Sequence, residues 1–200
     1  MVQITECDSV QKTNIKPIKQ KKCKQCKSLF TPMKPLQCVC GFECAKAWGN
    51  KQTTKALNQD TRRQKIALKT RQEWLKETQQ VVNKYVRLRD ESLGCVSCDK
   101  PATWKGQWHA SHYRTTKAAS SIRFNLWNIH KSCSVCNNWL SGNLGEYEPR
   151  IRLKIGNEKV DWLRSQNETA NYSIEYLKRL KGIFKKKCAK LEKRKTNGTT

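Results

Sequence analysis

No stretch of this 200-residue chain approaches the ~18 consecutive apolar residues that a membrane-spanning helix needs, so no membrane partner is expected. The opening residues, MVQITECDSV, lack the basic-then-apolar order of a secretory signal, and a soluble, intracellular protein is the expectation. Acid is scarce: 16 Asp and Glu stand against 41 Lys and Arg, a formal net charge of +25. An excess of that size selects a polyanionic partner, most simply nucleic acid. Apolar residues make up only 36% of the chain, enough for one or two small domains with modest cores. Histidine is limited to three residues, and there is no internal repeat beyond cysteine pairs.

Cysteine, by contrast, is plentiful. There are eleven, with C-x-x-C pairs at Cys23/Cys26, Cys95/Cys98 and Cys133/Cys136. Without an export signal, zinc is a better reading of these pairs than disulfides. Thiolates three positions apart on a tight turn reach one ion together, and two such turns complete a tetrahedron. The segment CKQCKSLFTPMKPLQCVCGFEC has too little apolar content to fold without metal. Its expected ligands are Cys23, Cys26, Cys40 and Cys44, with Cys38 competing with Cys40 on spacing alone; a disordered thiol-rich tail is the alternative.

The chain reads as α+β and mainly helical. Residues 1–20 show no periodicity and are expected to be disordered. A four-cysteine knuckle occupies 21–44 and a basic helical segment 45–92, where Trp74, Thr78, Val81, Tyr85 and Leu88 form an apolar stripe. Thr70 and Glu73 fit a capping box or a mid-helix position equally well. A zinc-stapled core occupies 93–145. Helices with a basic tail fill 146–200, the last beginning near Ser173. From Lys178 to Lys195 it carries ten basic residues and one acidic residue, Glu192, beside an apolar stripe of Ile174, Leu177, Leu180, Phe184, Cys188 and Leu191.

The pairs Cys95/Cys98 and Cys133/Cys136 are separated by 34 residues, longer than the ~15–20 of a plain zinc ribbon. The insertion holds His109, His112, Asn128 and His130, hence every histidine of the chain. A zinc-pinned strand and helix would gather His109, His112 and Asn137 around one pocket, an arrangement suited to phosphodiester hydrolysis: one imidazole as general base and a divalent ion held partly by Asn137. Each residue also has a plain role available, as zinc ligand, core hydrogen-bonder or turn cap.

The blocks WHASHYR and RFNLWNIHKSCSVCNNWLSGN, with CKQCKSLFTP, VCGFECA and LKTRQEWLKETQ, resemble the lambdoid-phage NinG (Rap) recombination proteins over residues 22–182. That resemblance implies an HNH-like ββα-metal endonuclease acting on Holliday junctions and other branched DNA in the bacterial cytoplasm. It implies two structural Zn2+ and a catalytic Mg2+ or Mn2+, a homodimer, and other phage recombination proteins as partners. By the same resemblance His112 is the general base, Asn128 braces the ββα turn and Asn137 binds the catalytic metal. Ser111 stands where such enzymes often have Asp; His109 is then the substitute metal ligand, and the two histidines are interchangeable in these roles. A non-catalytic zinc-containing DNA-binding or annealing protein explains the same charge and cysteines, and an RNA-binding zinc protein is a weaker third reading.

Overall fold

Two compact units divide the chain between Leu68 and Lys69, and the computed structural model describes residues 19–197. The expectation of disorder over 1–20 lies, for residues 1–18, outside the described residues. In the first unit, β1 (Lys21–Lys22) pairs antiparallel with β2 (Leu29–Phe30). Between them the chain reverses through Lys27, whose φ of 68° is left-handed, and Cys23 N–H donates to the Ser28 carbonyl at 2.9 Å. Helix α1 (Phe42–Ala67) follows and buries none of its residues.

The helical stretch expected over 45–90 is two helices. The first ends at Ala67, and α2 (Arg71–Arg89) starts afresh behind a complete capping box. Glu73 N–H donates to Thr70 Oγ1 at 3.3 Å, while Glu73 Oε2 accepts from Thr70 N–H at 2.7 Å. A cap of this kind stabilises a helix by about 1 kcal/mol. It is the physical reason the chain breaks here without a proline or glycine.

In the second unit, α2 packs on the C-terminal helix α5 (Ile174–Asn197). Trp74, Val82 and Val86 of α2 join Leu177 and Phe184 of α5, Phe124 and Ile129 in one buried cluster, with Val81 and Tyr85 partly covered at its edge. The buried stripe of α2 is therefore rotated slightly from the one its sequence suggests. Thr78 Oγ1 donates to the Trp74 carbonyl at 2.8 Å and lies 3.2 Å from that of Leu177. The apolar stripes of α2 and α5 thus pack on each other within one chain.

Strands β3 (Trp108–His112) and β4 (Ile129–Cys133) form an antiparallel hairpin with Trp108 opposite Cys133 and His112 opposite Ile129. Helices α3 (Leu144–Ile155) and α4 (Asn157–Ser165) contribute Tyr147, Ile151, Val160 and Leu163 to a second cluster with Val96, Tyr113, Ala119 and Ile122. All five residues of β4 are buried, although three of them, His130, Lys131 and Ser132, are polar. His130 and Lys131 are satisfied locally, whereas Ser132 Oγ has no hydrogen-bond partner among the described residues. Asp90, only 2% exposed, accepts from Lys131 N–H at 3.2 Å and from Arg89 at 2.7 Å, with Lys154 Nζ at 3.1 Å. Burial opposes the Asp90 charge, but Arg89 and Lys154 outweigh it and hold its pKa at about 2. No helix among the described residues is long and apolar enough to cross a membrane.

Candidate functional site

Two groups of four cysteines present their sulfurs within 4.8 Å of one another: Cys23, Cys26, Cys40 and Cys44, and Cys95, Cys98, Cys133 and Cys136. Individual separations are 3.6 Å for Cys26–Cys40, 3.5 Å for Cys40–Cys44 and 3.8 Å for Cys98–Cys133. A disulfide would require about 2 Å, whereas ligands ~2.3 Å from a tetrahedral zinc lie about 3.8 Å apart. The sulfurs therefore fit zinc. Cys40, not Cys38, enters the first group; the carbonyl of Cys38 accepts from Lys24 N–H at 2.9 Å instead.

Backbone amides complete these centres. Cys40 N–H points at Cys23 Sγ, and the amides of Ser97 and Cys133 point at Cys95 Sγ, at 3.2–3.4 Å. Burial opposes ionisation of Cys23, but the amides of Cys26, Cys40 and Gln25 outweigh it and bring its pKa down to about 6. In the second centre the C-x-x-C turns come from the loop after α2 and from the end of β4, and Trp104 and Trp108 pack against the cysteines. This centre staples β4 to the short helical turn Val135–Trp139, which is wider than an α-helix: Leu140 N–H reaches the Val135 carbonyl at 3.3 Å.

The staple brings Asn137 to His109. Asn137 Nδ2 lies 3.1 Å from His109 Nδ1, across the gap between the helical turn and β3. His112 is not in that contact. Strand alternation sets it on the opposite face of β3 from His109, and its Nε2 lies 2.9 Å from the Arg123 carbonyl. A carbonyl can only accept, so Nε2 carries the proton and Nδ1 keeps its lone pair. Burial pushes the His112 pKa below its ordinary 6.5, partly opposed by the Arg123 carbonyl. At neutral pH the ring is therefore uncharged.

Asn128 is fully buried and ties the loop between the strands. Its Oδ1 accepts from Arg114 N–H at 2.7 Å and its Nδ2 donates to the Arg114 carbonyl at 3.0 Å. Tyr113 N–H also reaches the Asn128 carbonyl at 2.9 Å. Replacing both oxygen and amide functions at once is beyond any other side chain of that size, which accounts for an asparagine here.

The third histidine serves the core. His130 is 1% exposed and its Nε2 lies 2.8 Å from the Trp127 carbonyl. Burial, with the positive charge of Lys154, pushes its pKa down to about 4. His130 is expected to stay neutral through pH 6 in an imidazole NMR titration, while the unfolded chain titrates near 6.5. Because the unfolded state then binds more protons, this residue's contribution to stability falls as pH drops from about 6.5 towards 4. A ring that titrates normally near 6.5 would contradict the burial described here.

Basic residues surround the hairpin. A concavity of about 370 Å³ is lined by Lys84, Arg87, Trp108 and Lys131 among others, and Lys131 Nζ sits 4.1 Å from the Trp108 ring centroid. Sequence reasoning did not single out this concavity, since its lining comes from α2 and the turn after it, the loop at Ala102, β3 and β4. Lys84 and Arg87 on its rim suit phosphate backbone contacts, while Lys131 is buried and donates to the Glu91 carbonyl at 2.9 Å.

Comparisons with known proteins place the sequence beside one family. A family model described as the bacteriophage lambda NinG protein matches residues 15–195. The chain is similar to protein ninG of Escherichia phage lambda, 45% identical over 123 residues, which span 62% of this chain and 59% of that protein. It is also similar to protein ninG of Escherichia phage 933W, 36% identical over 186 residues, spanning 84% of this chain and 92% of the relative. Protein ninG of Salmonella phage P22 is 42% identical over 123 residues, 62% of this chain and 60% of the relative. The matches to the lambda and P22 proteins thus cover less than two thirds of those relatives' length. No solved structure matches the chain.

Proposed function

The chain belongs to the NinG family of bacteriophage proteins, and from that premise we propose that it is a divalent-metal-dependent endonuclease for Holliday junctions and other branched recombination intermediates. The observation that carries the reading is the contact of Asn137 with His109 at a hairpin stapled by the second cysteine centre, where His112 of the same strand is tied to a carbonyl in its neutral form. His109 and Asn137 would hold the catalytic ion. Their donor set, an imidazole nitrogen and an amide oxygen with no carboxylate, suits Mn2+ better than Mg2+, and leaves the ion's charge to be balanced by the scissile phosphate. What a bound cation supplies there is offset of charge on the leaving 3′ oxygen.

In this reading the scissile phosphate lies across the end of β3, whose last residue is His112. His112 Nδ1 takes a proton from water on one side while the His109–Asn137 pair meets the phosphate from the other. The water oxygen bonds to phosphorus, and the P–O3′ bond breaks. The products are a 5′-phosphate and a 3′-hydroxyl, with solvent returning a proton to the leaving oxygen. Asn128 holds the loop that carries Arg114 and Arg123, so that the carbonyl behind His112 does not drift. Diffuse Lys and Arg contacts read the shape of a branch more than its sequence. Two symmetric cuts across a junction require two such sites, and a homodimer supplies them.

Cleavage of an end-labelled four-way junction, beside its matched linear duplex, tests the proposal. Junction cutting with Mn2+ or Mg2+, stronger with Mn2+ and absent without either, is the expected result. A junction that is bound but uncut with both ions would overturn it in favour of a non-catalytic DNA-binding or annealing accessory.

A further inference from the structure

Trp139 is 81% exposed and its neighbour Leu140 is 52% exposed. A tryptophan offers the largest apolar surface of any side chain, and this one is held in water by a rigid backbone. After Leu140, Ser141, Gly142 and Asn143 all take left-handed conformations, with φ of 48°, 94° and 51°. Such a run persists only where surroundings over-determine it. Here Gly142 N–H donates to the Cys136 carbonyl at 2.8 Å, Asn143 N–H to that of Leu140 at 2.7 Å, and Asn143 Nδ2 to that of Ser97 at 2.7 Å. Both anchors, Cys136 and Ser97, belong to the two C-x-x-C turns of the second cysteine centre. The centre therefore fixes the turn that pushes Trp139 outward, two residues beyond Asn137.

The occupant of that surface can be argued from charge. The chain's net charge of +25 draws a polyanion to its surface. Among polyanions, nucleic acid also presents flat aromatic faces. In a continuous duplex those faces are already stacked on each other; at a branch they are open. Base–aromatic stacking is tolerant of sequence, and apolar wedges at unstacked steps are a known way to hold distorted DNA.

We propose that Trp139 stacks on an unstacked base at the branch point of a DNA substrate, with Leu140 beside it, and so sets the branch next to the His109–Asn137 pair. The inference rests on the reading of the chain as a branched-DNA nuclease, and Trp139 is a positioning residue in it.

The test uses the full-length, zinc-loaded protein in Ca2+ buffer and a four-way junction carrying 2-aminopurine at the branch, beside a matched linear duplex. Wild type is expected to change the 2-aminopurine emission on binding. Trp139→Ala should abolish that change and weaken junction affinity about tenfold while leaving duplex affinity as it was; Trp139→Phe should retain both signal and affinity. Zinc content and circular dichroism establish that each variant is folded. The proposal is overturned if Trp139→Ala binds and reports like wild type, or if it loses affinity for both DNAs equally. It is overturned as well if sedimentation shows that the substitution turns a dimer into a monomer, which would make the face a subunit contact. None of these readouts uses cleavage, so failure of the nuclease reading appears separately, as a junction bound with Mn2+ yet uncut.

Discussion

His112→Ala is expected to lower junction cleavage by roughly 10²–10⁴-fold, the contribution of a positioned general base, with junction affinity and zinc content unchanged. The expectation follows from one hydrogen bond. With Nε2 committed to the Arg123 carbonyl, Nδ1 is the only ring nitrogen left to accept a proton, and alanine provides none. The pH profile adds a second handle. Because burial lowers the His112 pKa below 6.5, the base stays unprotonated in mild acid and activity should persist below pH 6.5 before declining. In His112→Ala the residual rate should lose that acid limb. His109→Ala should behave differently, with cleavage partly restored by raised Mn2+, as befits a ligand. Should His112→Ala cut normally while His109→Ala removes the acid limb, the two roles are reversed.

Removing the second cysteine centre is expected to have a still larger effect on structure. Metal binding to four-cysteine sites supplies about 10–16 kcal/mol of folding free energy in small domains, comparable with or above the ~5–15 kcal/mol that holds a whole domain together. Here the centre joins the loop after α2, the end of β4 and the turn bearing Asn137. Elemental analysis should find two zinc per chain. Cys133→Ser should fall to one and lose the cooperative thermal transition of the second unit. Cys26→Ser should also fall to one yet keep that transition, since the α2–α5 cluster draws nothing from the first unit's cysteines. Equal transitions for wild type and Cys133→Ser would refute a structural role for the second centre.

How far the sequence reveals this depends on how local each signal is. Both cysteine quartets are legible because a spacing of two or three residues within a pair constrains geometry regardless of what surrounds it. Only the choice between Cys38 and Cys40 needed the actual path of the chain. The start of α2 is legible as a possibility in Thr70 and Glu73, but nothing in the residues themselves distinguishes a capping box from the same pair inside a helix. The proximity of Asn137 to His109 follows from the staple. The separation of His112 from that contact does not, since it depends on strand register, and a one-residue difference turns a side chain to the other face. The role of His130 is equally hidden. Its burial comes from Asp90, Arg89 and Trp127, partners up to 41 residues away.

The burial of β4 has a consequence for how substitutions in this chain are tolerated. By composition, Ile129–Cys133 resembles a solvent-facing strip, and a ranking by hydropathy would place Lys131 and Ser132 among the freely replaceable positions. Their actual surroundings are those of a core, with Lys131 lying over an indole and its amide engaged by a buried carboxylate. The polar middle of the hairpin should therefore be among the least permissive stretches of the second unit, while the apolar tip formed by Trp139 and Leu140 accepts change without loss of folding.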